Sequence, residues 1–129
     1  MLDPAIKRLA SGMNFGTICF NLPNGQIASH VMWVDASDDH LLVNTEVHRA
    51  KYRALAADPN VTLTVWNAEN AYQYGEVRGT VTGEVRGPEA RDHIDFLARK
   101  YTGADYRPPI QSERVILQIT PGRQRSKDL

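Results

Sequence analysis

A chain of 129 residues with 42% apolar content is the size of one ordinary domain with a modest packed core. Lysine plus arginine and aspartate plus glutamate each number 15, for a net charge of zero. That balance argues against a protein whose main work is gripping nucleic acid or an acidic membrane, so any anion site must be a local cluster of charge.

Asp3 is a good helix N-cap and Pro4 suits a first helical turn, so the segment AIKRLAS that follows predicts a short helix, stopped by Gly12. Phe15–Leu22 (FGTICFNL) is rich in β-branched and aromatic residues and predicts a strand, with Cys19 as a small buried hydrophobe inside it. Pro23-Asn24-Gly25 is a hairpin signal, after which Ile27–Asp35 (IASHVMWVD) resumes as a strand. Ala36–Asp39 makes a second polar turn, and His40–Thr45 (HLLVNT) is a third strand. Val47–Ala57 is dense in helix formers and predicts a helix starting near Arg49, ended by Asp58-Pro59-Asn60. Val61–Asn67 (VTLTVWN) alternates as a half-buried strand should.

Tyr72–Arg86 reads as one long strand whose Gly75, Gly79 and Gly83 permit bends or bulges. Pro88 and Glu89 open a helix over Glu89–Tyr101, with Ala90, Ile94, Leu97, Ala98 and Tyr101 as its apolar stripe. A polar loop, Thr102–Gln111, leads to a last strand, Arg114–Ile119, and the basic tail Arg123–Leu129 is expected to fray. Six strands and three helices result, in the order α-β-β-β-α-β-β-α-β. Strands joined by tight turns pair antiparallel, and six short ones need closure to cover their edges. The expected fold is therefore mainly β, a single small barrel over residues 1–129 with helices plugging its ends. No apolar stretch approaches a membrane span and no signal peptide is visible, so the expected setting is cytoplasmic, without membrane or nucleic-acid partners.

The chain lacks a G-x-S-x-G elbow, an H-E-x-x-H helix, a Walker A loop and paired-cysteine zinc spacing. The histidines at 30, 40, 48 and 93 have no metal-ligand spacing, so no metal is expected. An enzyme with no nameable acid–base dyad would depend on a cofactor for its chemistry. The stretch Thr45-Glu46-Val47-His48-Arg49-Ala50-Lys51-Tyr52-Arg53 places a strand end against a helix start. Helix N-termini present unpaired N–H groups, and Arg49 and Lys51 would add cations there, a pattern that suits phosphate. An ordinary solvated basic helix is the plainer alternative. Trp33, Trp66, Tyr72 and Tyr74 lie on or beside strands, either as core or interface residues or as the wall of a pocket for a planar ring.

The segment LLVNTEVHRAKYRALAADPNVTLTV, the later YGEVRGTVTGEV, the helical LARKYTG and the closing ERVILQITP resemble, in order and spacing, the pyridoxamine-phosphate-oxidase-like split-barrel flavin and deazaflavin oxidoreductases. The likeness covers nearly the whole chain and implies a split β-barrel homodimer with two cofactor sites at its interface. The Arg-x-Lys spacing and ARKYTG are most similar to the branch that uses the deazaflavin coenzyme F420. Carried over, the resemblance implies that Thr45, Arg49 and Lys51 bind the cofactor phosphate, with Arg53 reaching its acidic tail. It implies that Ser29, His30, Val31, Met32 and Trp33 lie along the ring system, and that Trp66 and Tyr74 of a partner chain complete the pocket. The chain departs from the family pattern at Ala54, often Asn, at Ile27, near which a Pro is common, and in a tail without a closing aromatic. The activity implied is hydride transfer from F420 to a small conjugated acceptor, with Tyr72, Tyr74 and His30 as candidate proton donors. An FMN-dependent enzyme of the same fold and a non-catalytic cofactor-binding protein are the alternatives.

Overall fold

A computed structural model describes residues 1–129. Helix α1 covers Pro4–Ser11, and its start is fixed as the sequence suggests, with the Asp3 carboxylate accepting from the Ala5 N–H at 2.8 Å. The strands are β1 (Phe15–Asn21), β2 (Ile27–Trp33), β3 (Asp35–Ala36), β4 (Leu41–Glu46), β5 (Asn60–Asn67), β6 (Asn70–Val85) and β7 (Arg114–Lys127). Helices α2 (Ala50–Ala57) and α3 (Pro88–Thr102) follow β4 and β6. Helix α2 begins at Ala50, with Arg49 as its N-cap as the sequence suggests, and residues 47–49 ahead of it form a turn in which the Arg49 N–H bonds to Glu46 O.

All seven strands form one antiparallel sheet in the order β2-β1-β5-β6-β7-β4-β3. The outermost two, β2 and β3, are separated in the chain by Val34 alone, so the sheet curls round until its edges are joined by one stretch of backbone. This is the expected split barrel. The expected single strand over Ile27–Asp35 is interrupted at Val34 for a physical reason: its peptide groups are bonded by side chains of α3. Tyr101 Oη accepts from the Val34 N–H at 3.2 Å, and Lys100 Nζ donates to Val34 O at 2.7 Å.

The basic tail does not fray. Strand β7 continues to Lys127 and pairs with the first half of β6, from Arg78↔Arg123 to Tyr74↔Lys127. Composition alone suggested solvated chain, but β6 is 16 residues long and its edge needs a backbone partner along that whole length. The register shifts at Gly79 and again at Gly83, as the glycines suggested. Gly79 leaves no room for a side chain, since a Cβ there would stand 2.4 Å from Thr120 O.

The barrel core comes from inward residues of the strands, including Ile18, Val43, Leu63, Val77 and Leu117. Ile6, Leu9 and Ala10 of α1 close it at one place, and Ala54 and Leu55 of α2 at another. Helix α3 is not a plug, contrary to expectation; its buried residues Ala90, Ile94, Leu97 and Ala98 stand apart from that core, and it packs across β7 and β4 from outside. Cys19 is likewise not buried. Register with Thr17 and Phe15 puts it on the outer face of β1, half-exposed and 3.6 Å from Ser29 Oγ. No helix is long and apolar enough to cross a membrane.

Candidate functional site

Where α3 rides over the sheet it leaves a cavity of about 350 Å³. Phe15, Val31, Met32, Trp33, Ile94 and Leu97 supply its apolar wall, and Asn44, Arg49, Lys51, Tyr106 and Arg114 its polar one. A second hollow of about 430 Å³, along β1, β5 and β6, holds a single cation, Arg78, already bonded to Glu76 at 3.0 Å. The first cavity is therefore where charge and aromatic surface converge.

Strand register builds the cationic side. Glu46 and Arg114 are directly opposite on β4 and β7, and both are buried. Glu46 Oε1 accepts from the Gln111 and Ser112 N–H groups, each at 2.8 Å. Its Oε2 accepts from Arg49 Nη2 at 3.3 Å and Arg114 Nη1 at 3.5 Å. Burial pushes the Glu46 carboxyl up, but those backbone bonds, with Arg114 and Arg49 beside it, outweigh burial and hold it below its ordinary value. Glu46 thus fixes the two guanidinium groups and is the only carboxylate bonded to them.

Lys51 has no such partner. Its Nζ lies 3.9 Å from Met32 Sδ and bonds to no oxygen. Burial, and then the charges of Arg49 and Arg114, lower its pKa to about 8. Three cations against one carboxylate leave a surplus of positive charge, and no side chain caps the first turn of α2 beside them.

Asn44 ties this cluster to α3. Its Oδ1 accepts from Arg114 Nε at 2.8 Å, and its Nδ2 donates to Ala90 O and His93 Nδ1, both at 3.0 Å. His93 Nε2 then lies 3.0 Å from Asp35 Oδ2. The amide can serve Arg114 and His93 together only if Nδ1 accepts, so this thread selects the Nε2–H tautomer of a neutral His93. On the aromatic side, Trp33 stacks on Tyr101 (5.2 Å, 3° between planes) and meets Tyr106 edge-on at 6.4 Å. The Arg114 guanidinium lies 5.2 Å from the Tyr106 ring centre.

Of the residues singled out from the sequence, Val31, Met32, Trp33, Arg49 and Lys51 are brought together here. Ser29 and His30 lie further along β2, exposed and outside the lining. Arg53 is exposed on α2 and does not reach the cavity. The Thr45 side chain does not face it either: strand alternation puts it with Leu41 and Val43, and its fully buried hydroxyl has no hydrogen-bond partner. Trp66 and Tyr74 line a separate surface hollow with Thr64 and Glu76, although Trp66 touches Phe15 at 5.5 Å. Of the candidate proton donors, Tyr72 is 76% exposed, and none of Tyr72, Tyr74 and His30 lines the cavity.

Sequence reasoning missed Asn44, Tyr106 and Arg114. A charge opening the apolar strand RVILQI, able to face Glu46 across a ladder, was the available signal for Arg114. Asn44 and Tyr106 carried none.

The family model described as Pyridoxamine 5'-phosphate oxidase matches residues 2–128. None of the curated proteins matches the chain. Among solved structures, an F420 reductase is similar over 96% of this chain and 98% of its own, with 27% identity and a TM-score of 0.81. A conserved hypothetical protein from Mycobacterium tuberculosis is 23% identical over 99% of this chain and 85% of its own, with a TM-score of 0.76. A FAD-binding protein from Mesorhizobium loti is 17% identical over 96% and 92%, with a TM-score of 0.65; like the preceding one, it shows the fold alone.

Proposed function

This chain belongs to the pyridoxamine 5'-phosphate oxidase family, and from that membership and the chemistry of the cavity we infer an oxidoreductase that holds a flavin-type cofactor, specifically coenzyme F420. The observation that carries the reading is Lys51, a half-buried ammonium between Arg49 and Arg114 with no oxygen to bond. A phosphate there would receive charge-assisted hydrogen bonds from a donor set held in place by Glu46 and Asn44. The aromatic faces of Phe15 and Trp33 beside it offer stacking surface for a planar ring system.

A deazaflavin supplies, when bound in its reduced form, a hydride for an electron-poor carbon of a conjugated acceptor. The protein's share is binding, orientation and dryness. Arg49, Lys51 and Arg114 would hold the phosphate, and Val31, Met32 and Trp33 would lie along the ring. Ile94 and Leu97 would exclude water from above. Tyr106, the only phenol in the lining, takes the place of the earlier candidates as the group whose Oη hands a proton to the product.

Two features favour F420 over FMN. One similar structure, at 27% identity, is an F420 reductase, and Arg53 is exposed one turn beyond Arg49, where a longer acidic tail would pass. The reading includes a homodimer. Trp66 and Tyr74 do not line their own chain's cavity, and in this reading a second copy would bring them over a bound ring. Parallel titrations with F420 and FMN, followed by tryptophan fluorescence, test the assignment. Saturable F420 binding with weak FMN binding supports it. FMN preference would replace the cofactor, and binding of neither would remove the enzyme reading.

A further inference from the structure

The chain has three methionines, and their surroundings differ. Met1 and Met13 are 88% and 60% exposed on the surface. Met32 is half-buried on β2 and lines the same cavity as Lys51. Its Sδ accepts the one hydrogen bond that Lys51 Nζ donates, at 3.9 Å. A thioether is a weak acceptor, so this ammonium is poorly served where it stands.

A sulfoxide oxygen is a far stronger acceptor, and the geometry suits one. An S–O bond of about 1.5 Å and an O···N hydrogen bond of about 2.8 Å, meeting at the open angle a lone pair prefers, span roughly the separation already present between Sδ and Nζ. One lone pair of Sδ faces the ammonium, and of the two sulfoxide epimers the one formed there carries its oxygen towards Nζ without any backbone movement. The site is also reachable, because a cavity that admits a cofactor admits a peroxide.

We propose that Met32 is an oxidation site that disables the cation cluster: hydrogen peroxide converts its thioether to the sulfoxide, and the new oxygen takes the Lys51 ammonium that would otherwise hold the cofactor phosphate. The loss of cofactor binding rests on the cofactor reading above; the modification and its capture of Lys51 do not. In the reaction the sulfur lone pair attacks one peroxide oxygen and the O–O bond breaks. The departing hydroxide takes a proton from Lys51 and leaves as water, and Lys51 regains a proton from the sulfur-bound hydroxyl to leave the sulfoxide. Sulfur is oxidised by two electrons and the peroxide is reduced. Burial, and then Arg49 and Arg114, lower the Lys51 ammonium to about 8, which makes it a better proton donor than a surface lysine.

The test treats the full-length protein with hydrogen peroxide, followed by dithiothreitol to return Cys19 to its thiol, and maps the sulfoxides by peptide mass spectrometry. Two readouts follow: the rate at which an amine-acylating reagent labels Lys51 at pH 8, and an F420 titration. A sulfoxide bond favours the ammonium over the reactive amine, so labelling of Lys51 should slow about fivefold. F420 affinity should fall at least about tenfold. Methionine sulfoxide reductases A and B together should restore both. In Met32→Leu, each readout should be the same before and after peroxide, whatever its starting value. A Met32 that stays reduced while Met1 and Met13 convert would overturn the proposal. So would unchanged Lys51 labelling or unchanged F420 affinity in protein carrying the Met32 sulfoxide, or an equal peroxide effect in Met32→Leu. If oxidation slows Lys51 labelling but the untreated protein binds no F420, the capture of Lys51 stands and the cofactor reading falls.

Discussion

Alkaline pH should release F420 from the wild-type protein and leave Lys51→Arg unaffected. The Lys51 ammonium is lowered from 10.5 to about 8, by burial first and by Arg49 and Arg114 next. A bound phosphate favours the ammonium and raises that pKa again, so above about 8 the complex carries a proton that the free protein lacks. Affinity is then flat below pH 8 and falls as pH rises above it. At pH 9 about one molecule in ten retains the ammonium, which weakens binding about tenfold, or about 1.4 kcal/mol. His30, whose pKa burial and then Lys51 push below 6.5, is already neutral across this window, and the two arginines stay charged. The sign for folding is opposite: the unfolded chain binds the proton up to 10.5, so the cofactor-free protein gains stability from this group as pH rises through the same window. Calorimetric titration in two buffers of different ionisation heat measures both affinity and proton uptake. An affinity that holds constant to pH 9 in the wild type, or falls equally in Lys51→Arg, refutes the reasoning.

Thr45→Val removes a buried hydroxyl that bonds to nothing, and urea unfolding should show it stabilised by about 1 kcal/mol, with F420 affinity unchanged. A loss of affinity would return Thr45 to the phosphate site. Asn44→Ala strips Arg114 Nε and His93 Nδ1 of their buried partner, and should cost about 2–3 kcal/mol of stability and loosen cofactor binding; a variant as stable as wild type would dismiss the thread. Truncation after Pro121 uncovers the β6 edge from Tyr74 to Arg78 and should lower the melting temperature and promote aggregation seen by light scattering. A soluble, unshifted truncation would mean that the last strand segment contributes nothing.

The elements legible in the sequence were those whose signal is local. The Asp3 cap, the Pro23-Asn24-Gly25 hairpin and the alternation of Val61–Asn67 all appear where patterning placed them. What the sequence concealed depends on distant partners. Val34 breaks a strand because Tyr101 and Lys100, over 60 residues away, take its peptide groups. The tail becomes a strand because β6 offers an edge, which no composition rule for residues 123–127 contains. In the site, Arg49 and Lys51 were readable because charge and helix start sit together in the chain. Arg114 and Asn44 were not, because a ladder register and a helix crossing bring them there. Thr45 illustrates the limit of motif transfer: its residue type fits a phosphate site, while strand alternation turns its hydroxyl inward.

The central claim, that the cation cluster under α3 holds the cofactor phosphate, is tested most directly by the F420 affinity of Arg49→Ala combined with Lys51→Ala, with the fold verified by circular dichroism. Charge-assisted hydrogen bonds contribute about 1.5–3 kcal/mol each, and Arg49, nearly half exposed, belongs at the lower end. A combined loss of about 3 kcal/mol or more, at least a hundredfold in affinity, is the predicted result. A folded double variant that binds F420 as tightly as the wild type would contradict the account and move the phosphate elsewhere.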